Sequence, residues 1–504
     1  AQAILAQALP LEPASASAVC MGACMKRVAA PDAADASARK RPFAALPEVT
    51  LGRVPVYVMM PLDWMSDDGG SLRNGDILLN QFESLKRAGV RGVMADIWWG
   101  LCETEPGKYN FGACKALCSL LASVGLELQA TMSFHQCGGN VGDPISIPIP
   151  AFALSVAREK DMLYRHADGD VSEDCLSLSA DNQRAFAGKL GPQTRTPLDC
   201  YRDYIAVFLS SVGTENIGTV ITELQIGMGP CGELRYPSYM MSKGWNYPGV
   251  GLVMADDTGM RSQLKANTGL SALPAGLPTE KNAMPDDSPV FATAAKGGDE
   301  AFRKGDAKVF FEWYQKVLLD HGATLLVEAD AAIKQANVNV PAEKLALSVK
   351  VSGLHWHVMH PSRATEACAG YNSCTSDTAD AYNAIAAMIA RSAQSMGRPI
   401  FFNFTCLEMT NVDNNGNPQT LSAPEDLIAQ VRRACIRHDV PLSGENALEF
   451  DLATGGWAFE RTNKQLRGWS PGRDKMHGLT LLRLNDNFVA NDSLLELGKF
   501  TSST

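Results

Sequence analysis

VPVYVMM at residues 54–60, QFESLKRA at 81–88 and VRGVMADI at 90–97 decide the fold: an apolar run, a helix-patterned stretch and a second apolar run. Short apolar runs separated by an amphipathic helix describe a β-α-β unit, whose parallel strands are covered on both faces and so read as nearly continuous apolar stretches. The alternation continues along the chain, with further runs at Leu126–Phe134, Thr219–Met228, Leu345–Leu354, Pro399–Thr405, Val440–Ser443 and Leu479–Leu484. Before the fifth run, Lys308–Lys334 has helical periodicity that places Phe311, Trp313, Val317 and Leu318 on one buried face. Eight strand runs with helices between them predict an α/β chain closed as a (β/α)8 TIM barrel, with long loops at its C-terminal face. The stretch Asp256–Gly298 is polar and rich in Gly, Pro and Asn, which predicts an insertion on the barrel rather than a separate domain.

The chain has 504 residues, 46% hydrophobic and 20% charged, enough apolar content to bury a large core. A formal net charge of −10 argues against nucleic acid or an anionic membrane surface as partner, since both select clustered Lys and Arg. Charge, Gly or Pro interrupts every apolar stretch well before the roughly 20 residues that a membrane-spanning helix needs. Thirteen cysteines, odd in number and without paired CxxC spacing, read as reduced thiols rather than a disulfide framework. The first 48 residues are set apart: sixteen are Ala, and basic residues outnumber acidic ones up to Arg41. That composition predicts an organelle transit peptide rather than a secretory signal, with a disordered tail as the alternative, and residues 49–504 as the catalytic domain.

In a barrel of this kind reactive groups gather where the strands end, because eight loops converge there. Reading those ends gives Asp96-Ile97-Trp98-Trp99, Phe134-His135-Gln136-Cys137, Gly232-Glu233-Leu234-Arg235-Tyr236, Lys350, His355-Trp356, Asn403-Phe404-Thr405, Gly444-Glu445-Asn446 and Leu482-Arg483. Carboxylates beside aromatics and hydrogen-bonding groups are what glycoside hydrolysis requires: a protonated acid for the leaving oxygen, an ionised base for water, and flat apolar faces for sugar rings. His135 and His355 are far apart in sequence and no HExxH or CxxC spacing accompanies them, so no metal ion or cofactor is expected. The loop Gly138–Asp143 is not GxGxxG and reads as a lid.

The segments MSFHQCGGNVGD (132–143), GPCGELRYPSY (229–239), NFTCLEM (403–409) and GENAL (444–448), with Val93–Gly100, resemble the signature segments of plant-type β-amylases, glycoside hydrolase family 14, in order and spacing. The resemblance extends from Val54 to about Phe488. It implies an inverting exo-hydrolase that removes maltose from the non-reducing ends of α-1,4-glucans such as starch, without cofactor; the transit-like leader suggests a plastid, with the cytoplasm as the alternative. It matches the family's general acid to Glu233 and its general base to Glu445. The lid aspartate falls on Asp143 and the inner-loop threonine on Thr405. Sugar-contacting positions fall on Asp96, His135, Lys350, His355, Asn446 and Arg483, with Trp98 and Tyr239 as aromatic walls. Where the family carries a small Ala this chain has Cys231, and where an aromatic follows His355-Trp356 it has His357-Val358-Met359-His360, so subsite packing is expected to differ.

For such an acid–base pair, Glu233 is expected to be raised in pKa and Glu445 to stay ionised, with about 6.5–9.5 Å between their carboxyl groups for inversion. Taken singly, the same residues have ordinary readings: Glu233 as a surface ion-pair partner of Arg235, His135 as a core histidine, Trp98 and Trp99 as core, Cys137 and Cys406 as small hydrophobes. Two rival functions follow, a catalytically silent glucan-binding homologue and a barrel glycosidase with endo action.

Overall fold

A computed structural model of the chain describes residues 53–138, 145–188, 191–414, 420–468 and 475–504. The leader expected at residues 1–48 and the lid position Asp143 lie outside them. Eight parallel strands form a closed barrel: β1 Val56–Met59, β2 Gly92–Trp98, β3 Glu127–Ser133, β4 Ile221–Ile226, β5 Ala346–Val351, β6 Ile400–Phe404, β7 Leu442–Glu445 and β8 Leu479–Leu481. Each is followed by a helix: α1 Gly75–Arg87, α2 Gly112–Val124, α3 Pro197–Ser211, α4 Gly305–Gln335, α5 Ala381–Met396, α6 Pro424–His438, α7 Gly456–Arg467 and α8 Asn491–Ser503. Every strand falls on one of the eight runs, and the expected barrel is the observed one. The run Val440–Ser443 ends early, since β7 carries on to Glu445 and pairs Glu445 with Thr480.

The helices form as their patterns require. In α4 the expected Phe311, Trp313, Val317 and Leu318 are all buried. Helix α3 starts at a capping box in which the Thr196 side chain accepts from the Asp199 amide and Asp199 accepts from the Thr196 amide, with Pro197 in the first turn. The 256–298 insertion contains a helix, Thr258–Thr268, and packs on α4, with Phe291 stacked on Phe311 at 5.4 Å. Two further hairpins, Leu163–Arg165 with Val171–Leu176 and Phe186–Gly188 with Gly191–Arg195, lie between β3 and α3. A buried ion pair between Arg195 and Glu103, 3.1 Å apart, fastens the second hairpin to the segment after β2.

The barrel interior is polar. Thr480 Oγ1 donates to Gln129 Oε1 at 2.9 Å, and Gln129 Nε2 donates to Glu223 Oε2 at 2.8 Å. One register step further on, Thr131 Oγ1 donates to Gln225 Oε1 at 3.3 Å. Strands β3 and β4 therefore alternate: Leu128, Ala130, Met132 and Leu224 belong to the apolar core, while Gln129, Thr131, Glu223 and Gln225 bond one another across the strands.

Close strand packing makes one glycine indispensable. A Cβ at Gly92, the first residue of β2, would sit 2.3 Å from the Glu127 carbonyl oxygen on β3. Gly92→Ala is therefore expected to push β2 from β3 and cost about 1–3 kcal/mol. Urea or thermal unfolding measures this, and an unchanged midpoint would show that the strands can separate freely there.

Candidate active site

The C-terminal ends of the strands enclose a cleft of about 730 Å³, open mouth included. Its lining includes Asp96 from the end of β2, His135 after β3, Glu233 after β4, Lys350 on β5, Thr405 after β6, Glu445 and Asn446 at the end of β7, and Arg483 after β8. Eight of the ten residues singled out in the sequence are thus brought together from seven strands.

Glu233 reaches the cleft through a tight turn. At Gly229 there is no room for a side chain: a Cβ would lie 2.5 Å from the Arg235 carbonyl oxygen and 2.6 Å from that of Glu233. Cys231 adopts a left-handed backbone, φ 57°, and the chain then pairs alongside β5, where Leu234 N–H donates to the Lys350 carbonyl at 2.9 Å. The Glu233 side chain is 1% exposed. Its Oε2 accepts from Arg235 Nε at 2.6 Å. Arg235 is equally buried, lies over the Tyr239 ring at 4.1 Å from its centre, and directs Nη2 at Cys231 Sγ, 3.5 Å away. The surface ion pair that the sequence alone allows is therefore a buried one.

Glu445 stands opposite in kind. Its Oε1 accepts from Asn403 Nδ2 at 2.7 Å and its Oε2 lies 2.9 Å from Lys350 Nζ. Glu408, on the loop after β6, fixes the backbone beyond it by accepting from the amides of Ala447 and Leu448, each at 2.9 Å. Burial pushes the Glu408 carboxyl up to about 7, against those amide hydrogen bonds.

Lys350 joins the two carboxylates electrostatically. Burial opposes its charge, but Glu445, Glu233 and Asp96 outweigh this and hold the ammonium above its ordinary pKa. Burial pushes the Glu233 carboxyl up, while the neighbouring Arg235 and Lys350 charges pull it down. The rise expected at Glu233 is thus opposed by two buried cations. The motif shows a carboxylate next to an arginine; it does not show that both are buried and in contact.

The other expected contact residues divide by what already holds them. Asp96 Oδ1 accepts from Ser133 Oγ at 2.7 Å. The His135 ring stands edge-on to Trp98 at 5.5 Å, and its buried Nδ1 has no hydrogen-bond partner among the described residues. Asn446 is committed to backbone on both sides, donating to the Leu448 carbonyl and accepting from the Leu482 amide. Arg483 Nη1 donates to the Met60 carbonyl at 2.6 Å, which ties the end of β8 to the end of β1. His355 lies outside the cleft lining: it is 1% exposed, beside Tyr247 and Trp356, with Nδ1 2.7 Å from Ser422 Oγ. Tyr239 is likewise absent from the lining and serves as the platform under Arg235, its hydroxyl 2.9 Å from Ser352 Oγ. Trp98 does line the cleft, its indole N–H donating to the Leu62 carbonyl at 2.9 Å.

Sequence reading missed Asn403 as a partner of Glu445, the polar floor of Thr131 and Gln225, and an apolar wall of Met59, Met94 and Leu482. The floor had a signal: polar residues at every second position of two otherwise apolar runs. The departures have structural roles too. His357 is buried with Nδ1 2.9 Å from Thr365 Oγ1, and His360 Nε2 lies 3.4 Å from Asp286, joining this segment to the insertion. The eleven cysteines among the described residues are unbridged, and no group of three or more His, Cys, Asp or Glu among those residues could hold a metal ion.

The model of glycosyl hydrolase family 14 matches residues 57–503. The beta-amylase of Vigna unguiculata is 36% identical over 462 residues, covering 89% of this chain and 86% of that protein. "Beta-amylase 1, chloroplastic" of Arabidopsis thaliana is 39% identical over 462 residues, covering 90% and 75%. Among solved structures, the catalytic domain of beta-amylase from Paenibacillus polymyxa superposes with a TM-score of 0.67 at 25% identity, over 89% of this chain and 98% of that one.

Burial pushes His135 down to about 4 from an ordinary 6.5, so the folded protein keeps it neutral. A depressed folded pKa contributes stability that is full above the unfolded value and is lost as pH falls toward the folded one. Thermal midpoints are accordingly expected to drop between pH 6.5 and 4, and His135→Gln to flatten that slope. A variant with the parent's slope would show that other groups carry the acid sensitivity.

Proposed function

The chain belongs to glycosyl hydrolase family 14, and on that premise we propose that it is an inverting, exo-acting 1,4-α-glucan maltohydrolase releasing β-maltose from non-reducing ends of starch and related glucans. The observation that carries this reading is the buried carboxylate pair at the ends of β4 and β7, with the Lys350 ammonium held by both. Glu445, oriented by Asn403 and Lys350, draws the proton from a water molecule, which attacks the anomeric carbon of the second sugar from the chain end. Glu233 donates its proton to the leaving glycosidic oxygen. The C–O bond to the leaving chain breaks as the bond to water forms on the opposite face, so the configuration inverts.

The Arg235 and Lys350 charges favour ionised Glu233, yet the acid must carry a proton when the bond breaks. A neutral glucan supplies part of the difference. Filling the cleft excludes solvent from the site, which favours the neutral carboxylic acid over its ionised form, so proton uptake accompanies binding. His135, neutral and with Nδ1 unpartnered among the described residues, suits a sugar hydroxyl in the same cleft. Asp96, Lys350, Thr405, Asn446 and Arg483 contribute the remaining polar contacts. His355 packs against Trp356 and does not line the cleft.

No helix among the described residues is long and apolar enough to cross a membrane. A plastid location accords with the Ala- and Ser-rich leader and with the name of the Arabidopsis relative. A silent homologue would be expected to lack one of the two carboxylates, and here both are present and partnered.

Proton NMR of a starch digest tests the assignment: maltose should appear first as its β-anomer, with reducing ends accumulating before viscosity falls. Release of the α-anomer, or a viscosity drop ahead of reducing ends, would reject it. Glu233→Gln and Glu445→Gln should each lower kcat by about 10²–10⁴-fold with folding unaltered.

A further inference from the structure

The cleft does not stop at Arg483. Leu482 and Arg483 also form the wall of a second groove, about 950 Å³ with its open side, built from the segments that follow β7 and β8. Exposed Asp451, Asn485 and Asn487 line it above the buried Leu452 and Phe488. Phe450 borders the groove, and its ring lies 6.2 Å from that of Trp457 at the start of α7. Trp457 leaves 50% of its surface to solvent, with the Arg461 guanidinium 4.7 Å from its ring centre.

An indole so exposed gains little from the fold itself, and the part of its ring that Arg461 leaves uncovered is available to a flat apolar partner. The groove beside it offers carboxylate and amide acceptors without a matching lysine or arginine lining apart from Arg483, which opposes anionic ligands and favours a neutral one rich in hydroxyl donors. An exo-acting enzyme that takes only a chain end into its cleft leaves the rest of the polymer outside. A groove sharing two wall residues with the cleft is where that remainder would lie.

We propose that this groove, with Trp457 at its rim, is a non-catalytic binding site for the part of an α-1,4-glucan chain that stays outside the catalytic cleft. The proposal rests on the glucan-hydrolase reading above and adds where the enzyme grips long substrates. Sugar rings lie against Trp457 and Phe450, their hydroxyls bonding Asp451, Asn485 and Asn487, and long chains are favoured over short ones by the added contacts.

Trp457→Ala and Asn487→Ala, both at exposed positions remote from Glu233 and Glu445, test it. On amylose each should raise KM, Trp457→Ala by roughly fivefold, at unchanged kcat. On maltotetraose, which is too short to span both sites, kcat and KM should match the parent. Equal KM on amylose for parent and Trp457→Ala would overturn the proposal, as would an equal loss on both substrates. If the parent binds amylose without releasing maltose, the hydrolase reading fails on its own. Retardation in an amylose-containing native gel then decides the groove: weaker retardation of Trp457→Ala supports it, and equal retardation rejects it.

Discussion

Everything in this molecule depends on the closure of the barrel, in which β1 pairs with β8 through Val56 with Leu479, Tyr57 with Thr480 and Val58 with Leu481. A closed sheet has no edge, so the backbone groups of its wall are paired within the ring. With the wall satisfied, the interior can hold side chains that an open core would exclude, provided each finds a partner. Thr480, Gln129 and Glu223 form one such chain, and Thr131 with Gln225 another. The ends of the same strands then present charged groups at a single cleft.

Those charges balance locally. Glu445 is shared between an amide and an ammonium, whereas Glu233 is bound by a guanidinium that itself rests on Tyr239. Burying either carboxylate without its cation would be strongly unfavourable, so Lys350 and Arg235 are conditions for the fold as well as for the chemistry. The two carboxylates nevertheless differ in what can be altered. In the proposed reaction only Glu233 has to carry a proton, and it must hold that proton against the Arg235 and Lys350 charges.

The eight strands were legible because parallel barrel strands face helices on the outside and leave an apolar, period-two imprint in each run. The site was legible as a set of segments, and six of the eight expected contact residues, with both carboxylates, do line one cleft. Depth was not legible. His355 and Tyr239 stand in the same kinds of segment as Lys350 and Glu233, yet neither lines the cleft: one packs against Trp356 and the other lies under Arg235. Asn403 went unread because its importance comes from Glu445, a neighbour on the adjoining strand rather than in sequence.

By itself, then, the sequence determined the order of strands and helices and which strand ends carry acid, amide and base, since periodicity and composition act over a few residues at a time. Only the tertiary structure decided which of those groups meet, how deeply each is buried, and which cations surround Glu233. The reason is physical: a pKa or an ion pair sums the field of every nearby charge and the loss of water around it. Here Arg235 is close in sequence, but Lys350, Asn403 and Tyr239 reach the two carboxylates or their cations from other strands and loops.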